Sequence, residues 1–190
     1  MTVTYRYEVE VLHLLVSAGH AYFGRPRDGA ADVPTTDADR VEVMAGKGIV
    51  GDRFFGKAAH MDAAVTLFAV EGLEAMAAEL GAAPFDPLLT RRNVILRGAH
   101  LAPLLGEEFA LESRGASVRL LGGRPANPCA WMDRVLAPGA HAAMRGRGGM
   151  RCRALSDGVL HRGPAVLVSP VPLEPERAGE AHVRRASRLP

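Results

Sequence analysis

The residue best suited to covalent chemistry is Cys129, in the run Asn127-Pro128-Cys129-Ala130-Trp131-Met132-Asp133. It follows a proline and precedes a segment of helical character, Trp131 to Ala137, so its sulfur is predicted near helix N-terminal amides whose partial positive charge favours thiolate. A thiolate there can serve as nucleophile, sulfur carrier or soft metal ligand, while the plainer alternative is a buried structural cysteine. Cys152 is the internal comparison: it alternates with Arg151 and Arg153, which puts it on the apolar face of a strand.

Three other clusters could meet an anion. Arg91-Arg92-Asn93 sets two guanidinium groups and an amide at the entry to a strand, aimed at a phosphate or carboxylate or else simply solvated. Gly46-Lys47-Gly48-Ile49-Val50-Gly51 matches the glycine spacing of a dinucleotide turn, but no helical pattern opens after Gly51. It reads as a glycine-rich turn or an anion nest to which Lys47 and Arg53 add charge. In Arg145 to Gly149, Gly148 and its neighbours let backbone approach an anion closely while Arg147 offers a planar fork of donors. An RNA-binding segment would repeat this unit with aromatics between, and the stretch has neither.

Composition narrows the classes. In 190 residues, 23 basic side chains against 21 acidic give a net charge of +2, which argues against a dedicated nucleic-acid partner. Only Lys47 and Lys57 are lysines. Two cysteines are too few for a disulfide framework, and the longest early apolar run, Val11 to Ser17, is broken by His13; both suggest a reducing cytoplasm and no membrane span. Anchors for a serine hydrolase elbow, a zincin, a zinc finger and a P-loop are absent, and His20, His60, His100 and His141 lack metal-ligand spacing.

The positioning elements are mostly strands. Glu8–Ser17, Val41–Ala45, Ala64–Val70, Arg92–Arg97, the pair Glu108–Glu112 and Ala116–Leu121, and Met150–Ala154 read as β, with Asp157-Gly158 predicting a tight turn into one strand from Val159 to Val168. Val70, Leu73, Ala77 and Leu80 fall at helical spacing, with Gly81 as the stop. Many short strands with two helices predict a mostly β, β-rich α+β fold: a barrel or sandwich as one domain over 1–169, with 170–190 a flexible C-terminal tail.

In order, the stretches AGKGIVGDRFFG, VTLF, RRNVILRG, LAPLLGEEF, NPCAWMD and GRGG resemble the MOSC domain family, named for the C-terminal domain of molybdenum cofactor sulfurases. The resemblance spans Val9 to Val168, and HAYFGR (His20 to Arg25) adds a match to its small stand-alone members. It implies a β-barrel with a few peripheral helices, a molybdopterin-type molybdenum cofactor, and sulfur handling or metal ligation by one cysteine, here Cys129. The anion-binding positions it implies are drawn from Lys47, Arg53, Arg91, Arg92, Asn93, Arg147 and Gly148. Members of this family that are oxidoreductases reduce N-hydroxylated compounds with electrons from a partner; members fused to a desulfurase take sulfur from it. This chain departs from the family in Phe54, where many relatives have His, and with two lysines is not expected to bind pyridoxal phosphate. A different class, a non-catalytic module for a phosphorylated small ligand, remains open.

Overall fold

Strand β1 (Tyr5–Val16) is twelve residues long and pairs along both edges, which a sheet needs if it is to close on itself. The computed structural model, which describes residues 4–182, shows that closure. The other barrel strands are β5 (Val65–Ala69), β6 (Val94–Arg97), β7 (Glu108–Ser113), β8 (Ala116–Pro125), β9 (Met150–Ala154) and β11 (Gly163–Ser169). Around the barrel the order is β1, β11, β7, β8, β9, β5, β6 and back to β1. All neighbours are antiparallel except β5 and β6, which run parallel and are joined through helix α1 (Val70–Glu79). β2 (Thr36–Asp37) adds to β1, while β3 (Arg40–Met44), β4 (Gly48–Ile49) and β10 (Gly158–His161) form a separate small sheet. The fold is mostly β, as the strand density of the sequence predicts.

Two apolar cores share β5. Val65, Leu67 and Ala69 face the barrel interior with Leu96, Leu111, Leu120 and Met150. Phe68 points the other way, into a second core built by Val70, Leu73 and Met76 of α1 and by helices α2 (Trp131–Val135) and α3 (Ala140–Ala143). Covering both faces explains why Ala64–Val70 is apolar throughout rather than alternating. In β1 the register slips between Val11 and His13, so inward positions move from Val9 and Val11 to Leu14, and Leu15 turns to the helical core.

Two sequence expectations are corrected. Asp157-Gly158 does not make a hairpin between β9 and the next strand. Both edges of β9 are already taken by β8 and β5, so β10 leaves to pair with β3, and the Asp157 carboxylate accepts from the Ala45 amide. The expected strand from Val159 to Val168 is accordingly split into β10 and β11. Residues 170–182, expected in a flexible tail, are instead docked. Leu173 is buried, its amide donates to the Tyr7 hydroxyl, the Arg147 Nε donates to the Gly179 carbonyl, and the His182 amide donates to the Gly146 carbonyl. Residues 183–190 of that expected tail lie outside the described residues. Among the described residues no helix is long and apolar enough to cross a membrane.

Gly149 explains part of the Arg145–Gly149 run. It has φ +82°, and a Cβ there would lie 2.1 Å from the Leu67 carbonyl oxygen. Gly81 has a similar φ of +60° but faces open space. Gly149→Ala is expected to destabilise the protein by well over ~2 kcal/mol, against about 1 kcal/mol for Gly81→Ala. Urea unfolding of the two variants gives the comparison, and equal losses would remove the packing explanation.

Candidate functional site

At one end of the barrel β1 and β8 finish while β6 and β9 begin, and the segments leaving those strands meet there. Their anchor is Asn93, which is 1% exposed. Its Oδ1 accepts from the Thr66 amide and hydroxyl, at 3.0 and 2.8 Å, and its Nδ2 donates to the Leu15 carbonyl and to the Asp52 carboxylate. Asp52 is fully buried; it also accepts from the amides of Ser17 and Phe54 and from the Arg53 guanidinium at 3.4 Å. β1, β5, β6 and the loop after β4 are thereby tied to one another. With these bonds filled, Asn93 stands behind the site and is not in its wall.

The wall encloses a cavity of about 150 Å³. Arg53, Arg91, Arg92 and Arg151 line it, together with Cys129, and His20, Tyr22 and Phe54 border it from the loops after β1 and β4. Arg91 has φ +53° and is buried; its guanidinium donates to the carbonyls of Gly19 and Val33 and to the Ser17 hydroxyl, so it pins the loop that carries His20 and Tyr22. Arg92 donates to the carbonyls of Gly148 and Ala126. Arg53 donates to the Arg91 carbonyl and lies 4.7 Å from the Phe54 ring, while its Nε is buried without a partner. Tyr22 stacks on Trp131 and donates to the Leu89 carbonyl.

Charge sets the character of this cavity. Burial, and the Arg151 charge beside it, bring Arg92 down to about 10. Burial is also the leading cause that lowers Arg53, Arg91 and Arg151, and like charges add to it: Arg91 acts on Arg53, while Arg124 and Arg53 act on Arg151. All four remain cationic at neutral pH, and among the described residues Asp52 is the only carboxylate bonded to any of them. Like charges gathered in a cleft make it a candidate site for an anion. The Cys129 sulfur is near enough to raise Arg92 and Arg151 against burial.

Cys129 itself is exposed at the rim. The helix expected to activate it is one turn, α2, which begins two residues later, and the Met132 amide donates to the Cys129 carbonyl. The arginines supply the positive surroundings instead. Cys152 is buried in the barrel core, where burial pushes its thiol up. Lys47 is exposed on the turn after β3 and does not line the cavity. Arg147 is turned away to Glu79, the Ala143 carbonyl and the C-terminal segment. Gly148 contributes only its carbonyl, held by Arg92, since a Cβ would strike the Ala126 oxygen at 2.2 Å. A second cavity, of about 180 Å³, adjoins through Asn127 and is lined by His100, Arg147, Gly148, Glu180 and His182 among others. Arg151, His20 and Tyr22 line the candidate site without being among its expected anion-binding positions; HAYFGR is the signal for the last two. Among the described residues no three His, Cys, Asp or Glu side chains are placed to hold a metal ion unaided.

A family model for the MOSC domain matches residues 43–167, well over half of the sequence. The chain belongs to the MOSC domain family. This MOSC protein is similar in fold to the YUAD protein from Bacillus subtilis, with TM-score 0.66 and 18% identity over 87% of this chain and 98% of that one. It is also similar to YiiM from Geobacillus stearothermophilus, with TM-score 0.58 and 18% identity over 84% and 74% of the two chains. For YiiM from Escherichia coli the values are 0.53 and 19%, over 93% and 75%. No curated protein sequence matches at a significant level.

Asn93→Ala removes the amide that pairs Asp52, Thr66 and Leu15, and is expected to lower stability by at least ~2 kcal/mol in urea unfolding. A near-neutral result would deny it the anchoring role. His100 is buried and its Nδ1 lacks a partner; burial foremost, then Arg177, holds its pKa below the usual 6.5. The unfolded chain then takes up a proton that the folded state refuses, so this contribution to stability is present above about pH 6.5 and is lost on acidification. Unfolding free energy is expected to fall between about pH 7.5 and about pH 5.5, and less steeply in His100→Gln. An unchanged slope in the variant would exclude His100 as the source.

Proposed function

We propose that this MOSC protein binds a molybdenum cofactor at the arginine-lined cavity and offers Cys129 as the sulfur ligand of its metal. The observation that carries the proposal is the convergence of four guanidinium groups, from the loop after β4, the turn before β6 and strand β9, around one exposed thiol. The donor set fits such a group. Guanidinium forks suit a terminal phosphate, and thiolate is a soft ligand. Among the described residues no three His, Cys, Asp or Glu side chains are grouped to hold a metal ion, which suits a metal that brings ligands of its own.

When bound, the cofactor supplies two-electron redox chemistry at molybdenum. Arg53, Arg92 and Arg151 would offset the charge of its phosphate, while Arg91 holds the loop that carries His20 and Tyr22. In such a reductase, N-hydroxylated compounds are the substrates and an electron-transfer protein the partner, as membership of the family suggests. A second reading, Cys129 as persulfide carrier loaded by a cysteine desulfurase, is favoured by the exposure of the thiol, which a partner can reach.

Elemental analysis of the protein from a cofactor-competent host tests the assignment. About one molybdenum per chain is expected, with most of the metal lost in Cys129→Ser and in Arg53→Ala/Arg151→Ala. A phosphorylated ligand bound equally well by wild type and Cys129→Ser, with no molybdenum in either, would instead make this a non-catalytic binding module.

A further inference from the structure

Part of the donor capacity around the cavity is already committed to the chain itself. Arg91 is bonded to two carbonyls and a hydroxyl, and Arg92 to two carbonyls. The cation left over is Arg151, which lines the cavity beside Cys129 and whose side chain makes no hydrogen bond or ion pair among the described residues, with the second N–H of each terminal nitrogen of Arg53 beside it. At about 150 Å³ the space is well below the ~300–1,000 Å³ of sites for drug-sized ligands. Such a space suits a compact, multiply charged anion whose reactive atom can be turned toward the rim thiol.

We infer that this cavity accepts sulfur from a sulfane-sulfur oxyanion, of which thiosulfate is the simplest. Arg151 and Arg53 hold the sulfonate oxygens, and the Cys129 thiolate attacks the outer sulfur. A bond forms between the Cys129 Sγ and that sulfur as the bond to the sulfonate sulfur breaks, and its electron pair leaves with sulfite. Thiolate plus thiosulfate dianion becomes persulfide anion plus sulfite dianion, so atoms and charge balance. The cysteine sulfur is oxidised and the sulfonate sulfur reduced, with no further oxidant required. The exposure of Cys129 then lets the persulfide pass its outer sulfur to an acceptor thiolate. Placing the donor's negative charge against guanidinium groups also offsets its repulsion from the incoming thiolate, which limits this reaction in water. This inference rests on the sulfur-carrying reading of Cys129 and goes beyond it by naming the donor.

The experiment uses the full reduced chain with thiosulfate. Intact-mass measurement is expected to show one added sulfur on Cys129, with one sulfite released per chain, and added cyanide should sustain turnover to thiocyanate. Cys129→Ser abolishes all three. Arg151→Ala is expected to lower kcat/KM for thiosulfate by about ten- to hundred-fold, the loss of one charged hydrogen bond, chiefly through KM, with partial rescue in Arg151→Lys. Inorganic polysulfide, which carries no sulfonate, is the control donor. Loading by polysulfide but not by thiosulfate overturns this proposal and leaves the carrier reading standing. Failure of both donors on a thiol that iodoacetamide still alkylates overturns the two together. Thiosulfate loading at an undiminished rate in Arg151→Ala would remove the arginine from the mechanism.

Discussion

Four guanidinium groups share one small cavity and repel one another there, and much of the surrounding architecture serves to hold them in place. The restraint is mostly neutral: carbonyls of Gly19, Val33, Arg91, Ala126 and Gly148 each accept from an arginine, while Asp52 supplies a single buried carboxylate. Carbonyl dipoles hold a cation without cancelling its charge. Four guanidinium charges therefore face a single bonded carboxylate among the described residues, unlike an ordinary salt-bridge network.

Holding the cluster in register is a matter of where the two cores meet. β5 is packed on both faces, by the barrel on one side and the helices on the other, and Thr66 within it bonds Asn93 directly. Trp131 and Met132 sink into the helical core just after Cys129, so the rim thiol sits on a segment anchored from one side. Tyr22 stacks on Trp131 while Arg91 holds the rest of its loop, so that the loop and the cysteine segment are joined across the opening.

Residue type and local pattern made much of this legible. Most barrel strands, α1 and the apolar faces follow from periodicity, and Cys129, Arg53, Arg91 and Arg92, which the fold brings together, are candidates by residue chemistry alone. Lys47, Asn93, Arg147 and Gly148 were candidates on the same grounds, yet their places depend on long-range packing that spacing does not encode. Asn93 is consumed by three neighbouring segments, and Arg147 by the docked residues near Gly179. Arg151 shows the converse. Alternation with Cys152 correctly faces it away from the barrel interior, but at that end the outside of the barrel is roofed by residues 127–132, so an outward side chain becomes a cavity wall. The Asp157-Gly158 turn misleads for a similar reason, since a local hairpin signal cannot report that both edges of the preceding strand are occupied.

Barrel closure joins Tyr5 through Val11 to Gly163 through Ser169, the most widely separated pairing of the barrel strands. Contacts of such separation form late, because the intervening loop must first be ordered. During synthesis on the ribosome, then, β1 emerges long before β11 and waits, that edge exposed, until β11 has left the exit tunnel. Its outward positions near the start, Arg6, Glu8 and Glu10, are charged, and charge of that kind keeps a lone strand from pairing with a neighbouring nascent chain before its own partner arrives.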